Sequence, residues 1–432
     1  MNIALIIFFV SFVVVFLIRI PIGIGMMMSS IFYFALATRP GSTIGMVATQ
    51  FLSNMNSSFI LIAVPLFVFM AEIMNSGKVT NMIFSFANAM VGKKKGALGH
   101  VNVVASIIFS GMTGSALADA SGLGNMEIKA MKEAGYDDGF SCAITAASAV
   151  IGPVIPPSIP MIFYAMLSGA SIGALFLGGI IPGLVIGLCL MAYTSFISKR
   201  RNYPEGVSLP AKEFIALTFR SLPALFSVVV LLGGIYSGMV TPTEAGALAA
   251  AYALLVSVFF YRAFGVRDLR QVLLNTVKTV GNLSLLVGCA YAFSYIVTIE
   301  KIPNAVASLL LGVTHNRIVM LIIINLMFLA LGMFMDTMAI TLVFIPIVLP
   351  LINTLGIDLV HFGVVIVINM MIGLTTPPFG MLLFITSGIS KTPLKDVIRE
   401  ILPMIFVLIV ALFLLTFIPD LVLFIPRLAG FK

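Results

Sequence analysis

The chain has 432 residues, of which 60% are hydrophobic and 9% charged, with a mean hydropathy of +1.17. Soluble globular domains carry roughly 25% charged residues, so this composition is that of a polytopic membrane protein. The net charge of +8 sits in short clusters between apolar runs, as the positive-inside rule expects, and no basic face is left for nucleic acid.

Spans of about 20 apolar residues fit the bilayer core. Asn2 to Ile18 lacks a basic leader, and Arg19-Ile20-Pro21 follows in place of a small-residue cleavage site, so it is read as a retained span. Spans are expected at about 3 to 20 and 22 to 38, then a polar loop from Arg39 to Ser58, then a span at 58 to 76. Residues 78 to 92 are amphipathic, as for an interfacial helix, and end in Lys93-Lys94-Lys95. The stretch from Gly96 to Lys132 is too long for one span and is interrupted by Ser110-Gly111-Met112-Thr113-Gly114-Ser115, which predicts a re-entrant hairpin over 96–132. The next span, 139–169, contains Gly152-Pro153-Val154-Ile155-Pro156-Pro157-Ser158. Its prolines remove backbone donors and fix φ, so the helix must unwind there.

A span at 172 to 198 leads to a polar, cytoplasmic linker at 199–212. Beyond it the sequence predicts spans at about 215 to 238 and 243 to 262, a basic connecting segment at 263–280, and a span at 281 to 299. A second hairpin is expected over 317–353 with its tip at Gly332-Met333-Phe334-Met335-Asp336-Thr337, then a second broken span at 359–390 and a last span at 400 to 425.

The two halves match at an offset of 221: Gly152 and its Pro-Pro pair map onto Gly373 and Pro377-Pro378, Gly111-Met112 onto Gly332-Met333, Gly135 and Asp137 onto Gly356 and Asp358, and Pro182 onto Pro403. This is an internal duplication. Placing the basic clusters in the cytoplasm makes the repeats inverted, with both termini in the periplasm of a bacterial inner membrane. The expected class is an all-α polytopic membrane protein with inverted repeats, two re-entrant hairpins and two Pro-broken helices. Residues 1–57 and 213–262 form a static scaffold, and 58–198 and 281–432 form a mobile transport domain.

Intramembrane carboxylates are functional candidates by default. Asp336 at the second tip and Ser115 at the matching first-tip position are placed at a solute site, Asp336 accepting from solute hydroxyls and Ser115 donating to a carboxylate. The competing role for Asp336 is a helix N-cap; the two roles are compatible. Asp119 is read as a possible cap, Glu72 as a helix contact, and Glu244 after Thr241-Pro242-Thr243 as part of a helix start. Thr337 and Thr375 join the solute set. Unwound backbone at both breaks, facing both tips, supplies converging carbonyls and hydroxyls for Na⁺ while opposed helix N-termini suit an anion; Gly111 and Thr113 belong to that cation set. Cys142, Cys189 and Cys289 are expected to be inert thiols, and His100, His315 and His361 interfacial or loop residues.

The segments SGMTGSALAD, GPVIPPS, GMFMDT and GLTTPPFG, with the duplication, resemble the large membrane subunit of tripartite ATP-independent periplasmic (TRAP) transporters over essentially the whole chain. The resemblance implies a Na⁺-coupled, elevator-type importer of acidic solutes such as C4-dicarboxylates or sialic acids. It implies a small four-span membrane subunit and a periplasmic substrate-binding protein as partners. It places one Na⁺ site on Ser110, Gly152, Ile155 and Pro157, and another on Gly332, Gly373, Thr376 and Phe379, largely through carbonyls. With no room before Asn2 or after Lys432 for four more spans, the small subunit is expected as a separate chain.

Two alternatives compete with this reading. One is a stand-alone Na⁺/carboxylate symporter without a binding protein. The other is an intramembrane hydrolase using Asp119 and Asp336, which is disfavoured because the two are not repeat equivalents. No phosphate loop supports ATP-driven pumping.

Overall fold

The computed structural model describes residues 3–18, 20–37, 43–57, 60–75, 77–263 and 265–431. Among these, regular structure is helical throughout, apart from one isolated backbone bridge between Lys95 and Glu205. The first half holds α1 (Ile3–Leu17), α2 (Ile22–Leu36), α3 (Gly45–Ser57), α4 (Ile60–Met74) and α5 (Gly77–Val91), then the hairpin α6 (Ala97–Thr113) and α7 (Ala116–Glu133), the broken pair α8 (Asp138–Ala149) and α9 (Ile159–Ser168), and α10 (Ile172–Arg201). The second half holds α11 (Ala211–Tyr236), α12 (Pro242–Leu255) with a π-helical turn at Val256–Phe260, α13 (Val266–Ile299) and α14 (Ile302–Val313). Its hairpin is α15 (Arg317–Gly332) and α16 (Thr337–Thr354), its broken pair α17 (Leu359–Gly373) and α18 (Met381–Ser390), and α19 (Leu394–Phe417) and α20 (Asp420–Leu428) complete it. Six helices among the described residues are long and apolar enough to cross a membrane, or up to seven if α4 and α5 are one bent span.

The duplication survives in the helices themselves. Shifted by 221 residues, α7 takes the bounds 337–354, which are those of α16, and α8 starts where α17 starts. Shifted likewise, α6, α9 and α10 begin within one residue of α15, α18 and α19.

Five differences from the sequence reading stand out. The stretch expected as a polar loop contains α3; its residues 39–42 and 58 lie outside the described ones. The basic connecting segment 263–280 is helical from Val266 and runs without a break into the span that follows it, as the 34-residue α13. Arg, Leu, Gln and Lys are good helix formers and no proline interrupts them. The short α14 was not anticipated, and the last span ends at Phe417, where Ile418-Pro419 separates α19 from α20. His100 and His361 are buried inside helices rather than at an interface, their ring nitrogens meeting the Ser195 hydroxyl at 3.1 Å and the Leu415 carbonyl at 3.0 Å. His315 is an exposed residue between helices, as expected.

The halves interlock. The returning arm α7 packs against α18 of the other half and α16 against α9, while α8 meets α19 and α10 meets α17. The same exchange runs through the outer helices, with α4 on α12 and α2 on α13. Asn275 on α13 donates to Glu72 on α4 at 3.3 Å, and Glu244 closes a capping box with Thr241 at the start of α12, so both carboxylates take the structural roles expected of them.

The linker between the halves is pinned. Gly96 N–H donates to Pro204 O at 3.0 Å and Gly206 N–H to Lys94 O at 3.1 Å. The Tyr136 and Tyr203 rings stack with centroids 4.4 Å apart. The Tyr203 hydroxyl donates to Asp137 at 2.6 Å, and Arg201 reaches Asp137 and Glu400, both at 2.9 Å. Burial pushes the Tyr136 phenol, which accepts from Leu98 N–H at 3.2 Å, up to about 12 and also raises Tyr203, so both stay protonated at physiological pH.

Candidate functional site

Each hairpin turns where its sequence lacks a helix-compatible path. α6 ends at Gly114, whose φ of 61° is left-handed and whose N–H returns to Ser110 O at 3.3 Å. A Cβ at Gly114 would lie 2.3 Å from Pro157 O, so the first tip sits directly on the first break. In the second repeat the contact is backbone to backbone. A Cβ on Gly332 would approach Gly373 Cα to 2.9 Å, and one on Gly373 would approach Gly332 Cα to 2.5 Å.

Both tips then start a helix with a capped N-terminus. Ser115 Oγ accepts from Ala118 N–H at 3.4 Å and Asp336 Oδ2 from Met338 N–H at 3.0 Å. Asp336 therefore does cap α16, and it does so at the wall of a cavity of about 260 Å³. Ser115, Asp336 and Thr337 line this cavity together with Pro153 of the first break and Leu374 of the second, and Thr279 and Leu283 of α13 close it. The N-terminal residues of α7, α9 and α16 all reach it, through Ala116, Ile159 and Thr337. Three positive helix ends thus converge where no Lys or Arg is present, an arrangement suited to an anion. The Thr337 hydroxyl is buried without a hydrogen-bond partner.

The breaks expose backbone oxygen. Among the described residues, the carbonyls of Gly152, Ile155 and Pro157 accept no hydrogen bond, and neither do those of Thr376 and Phe379. The hydroxyls of Ser110, Thr113, Thr375 and Thr376 are turned back on their own helices, donating to Ile107 O, Phe109 O and, for both threonines of the second break, Ile372 O. Thr375 accordingly does not line the cavity. Gly111 stands 3.8 Å from Pro156 O by its projected Cβ, and Phe379 is half exposed against Phe334 with ring centroids 5.8 Å apart. Unpaired carbonyl oxygens of this kind, just past helix C-terminal ends, are the donor type that suits Na⁺. Among the described residues no group of three or more His, Cys, Asp or Glu side chains gathers to hold a metal.

Asp119 is not part of the cavity wall. It is buried beside Ser106 of α6, at the end of a chain that runs through Ser148, Asn102 and Thr145 to Glu127, a cluster that sequence reading missed because its members lie on three separate helices. Their shared spacing, at 102 and 106 on α6 and 145 and 148 on α8, is the signal that was available.

Comparison with known proteins agrees with this architecture. Residues 9–421 match the family model for the tripartite ATP-independent periplasmic transporter, DctM component. The chain is 40% identical over 94% of its length to the sialic acid TRAP transporter large permease protein SiaM of Vibrio cholerae, covering 95% of that protein. It is 34% identical over 86% of its length to the C4-dicarboxylate TRAP transporter large permease protein DctM of Pseudomonas aeruginosa, covering 87% of it. The sialic acid TRAP transporter permease protein SiaT of Haemophilus influenzae is 36% identical over 96% of this chain, which spans 67% of that longer protein. The crystal structure of the Alcanivorax borkumensis YdaH transporter shares the fold at a TM-score of 0.69 and 13% identity, over 92% of this chain and 97% of that one. The protein is a transport permease of the inner membrane rather than an enzyme. By family model and by relatives of nearly equal length, this chain belongs to the DctM large membrane subunits of the TRAP transporters.

Proposed function

We propose that the chain imports a hydroxylated carboxylate, of the sialic acid kind, coupled to Na⁺. The observation that carries the substrate class is the cavity itself. Three helix N-termini offer N–H groups to one carboxylate, while Asp336 and Thr337 add an acceptor and an unpaired hydroxyl for a polyol. A C4-dicarboxylate would bring its second anion to a site that holds Asp336 and no Lys or Arg, so the hydroxylated monoanion is the better match. The relative with 40% identity carries a sialic acid name, which supports the same choice.

Na⁺ coupling is supported by the unpaired carbonyls of Gly152, Ile155 and Pro157 in one break and of Thr376 and Phe379 in the other, with Ser110 and Gly332 at the adjoining tips and Gly373 at the start of the second break. Each ion neutralises charge beside the cavity and stitches a tip to a break. In this reading the hairpins and broken helices move as one elevator body against the outer helices, the repeats are inverted, and both termini are periplasmic. A small four-span membrane subunit and a periplasmic binding protein complete the transporter. The deciding experiment is uptake of radiolabelled N-acetylneuraminate into liposomes holding the chain, its small subunit and the external binding protein. Accumulation driven by an imposed Na⁺ gradient is expected; equal uptake from Na⁺-free medium under a pH gradient alone would refute the coupling.

A further inference from the structure

Asp119 and Glu127 lie two turns apart on α7, each 2% exposed. Neither Asp119 oxygen accepts a hydrogen bond, nor does Glu127 Oε1. Both face α6, Glu127 at Asn102 and Asp119 at Ser106 one turn further on. A buried carboxylate needs a cation, hydrogen-bond donors or a proton to balance it.

Cations from the surrounding helices are engaged elsewhere. On α7 itself Lys129 faces Glu133 at 3.9 Å and Lys132 pairs with Asp138 of α8 at 2.9 Å. His100 of α6 meets Ser195, Cys142 of α8 meets Ser390, and Lys78 of α5 donates to Arg262 O. α18 carries no titratable side chain.

The fold does not need these carboxylates. At the 221-residue offset Asp119 and Glu127 become Ile340 and Val348, Asn102 and Ser106 become Ile323 and Met327, and Thr145 becomes Ile366. The second hairpin has no carboxylate at these positions; its buried polar contacts there are uncharged, with Asn369 at the place of Ser148 donating to Asn325 at 2.7 Å. Two buried carboxylates present in one repeat and replaced by aliphatic residues in the other point to a use beyond packing.

We propose that Asp119 and Glu127 form a proton-binding site, and that its proton sets the Na⁺ affinity of the neighbouring break at Gly152–Pro157; the second clause rests on the Na⁺ reading above. A proton fits better than a metal ion because the nearby oxygens are already joined in a chain. Asn102 Nδ2 donates to Glu127 at 2.8 Å and to Thr145 at 2.7 Å, Ser148 donates to Asn102 Oδ1 at 2.6 Å, and Ser106 donates to Ser148 at 3.1 Å beside Asp119. A metal shell would break these bonds, whereas a proton on a carboxyl oxygen leaves them in place. Ser106 stands one turn, about 6 Å, from Ser110 at the first tip. Loss of the proton therefore puts a negative charge near the carbonyls of the break and tightens Na⁺; reciprocally, Na⁺ weakens the proton.

The test uses the purified full chain in lipid, as wild type, Asp119→Asn and Glu127→Gln, both nearly isosteric. Infrared titration should show the carbonyl stretch of a protonated carboxyl at neutral pH in the wild type, diminished in either variant and retained in Asp336→Asn. Na⁺ protection against thermal unfolding should tighten about tenfold from acid to alkaline pH in the wild type and stay nearly flat in both variants. Absence of the wild-type band at every neutral pH, or its loss only in Asp336→Asn, overturns the proton site whether or not the variants fold. A band assigned to Asp119 and Glu127 with no Na⁺ response at any pH upholds the proton site and refutes the Na⁺ reading. A Na⁺ response with the same pH dependence in all forms refutes the link between them.

Discussion

Ser115 and Asp336 occupy the same post in two hairpins: each caps the returning helix through its own side chain, and each faces the one cavity between the repeats. The capping bond engages Asp336 Oδ2, and on the proposed function the carboxylate also accepts from a solute hydroxyl. Asp336→Asn keeps the cap and removes the charge, so protein level and assembly should match wild type while uptake is lost. Asp336→Ala should lose uptake and also about 0.5 to 2 kcal/mol of local stability. Normal uptake by the Asn form would reduce Asp336 to a cap.

Thr337 gives a cleaner separation of fold from binding. Its hydroxyl has no protein partner, so Thr337→Val should leave the melting temperature unchanged or slightly raised. Half-saturation for N-acetylneuraminate should rise about five- to tenfold, the worth of one hydrogen bond of roughly 1 kcal/mol. Unchanged half-saturation would place the hydroxyl outside the bound solute's reach.

The Gly332–Gly373 contact predicts a sharp contrast between alanine substitutions. Gly332→Ala or Gly373→Ala puts a methyl within 2.9 Å of opposing backbone, which cannot rotate away. Either should cost about 1 to 3 kcal/mol and abolish transport. Gly312→Ala in α14, where a Cβ meets nothing within 4 Å, should be neutral or mildly stabilising. Thermal melts of the three variants with parallel uptake assays decide it.

At the linker, Arg201 bridges Asp137 of the first half and Glu400 of the second. Arg201→Ala leaves the Glu400 carboxylate, only 16% exposed, without its cation and should destabilise by about 1 to 3 kcal/mol. Tyr203→Phe loses the bond donated to Asp137 and the weaker one accepted from Arg201 and should cost about 1 to 2 kcal/mol. Equal melting temperatures for both variants and wild type would show the clasp to be incidental.

Much of this was legible in the chain because the breaks are written in prolines and glycines, whose backbone effects hold in any context. The offset of 221 then multiplied each local signal by two. Ser115 and Asp336 were found from that arithmetic, and the cavity joins them. Thr375 was harder to place, since a threonine in a break has two uses for its hydroxyl, and here it serves Ile372 O. Charge at 263–280 marks a polar stretch but not its continuity with the next span, since arginines spaced along a helix carry no signal for where that helix ends. The Asp119 and Glu127 cluster depends on three helices meeting, which no local pattern announces.

The exchange of α7 with α18 and of α16 with α9 also bears on how the protein is made. When the ribosome has finished the first hairpin, the partner that closes its returning arm lies more than 240 residues downstream in residues 381–390. Buried Asp119 and Glu127 on that arm must meanwhile remain near water or a chaperoning insertase, because lipid alone does not satisfy them. The first half is thus obliged to wait in a provisional position, and final insertion belongs to the complete chain.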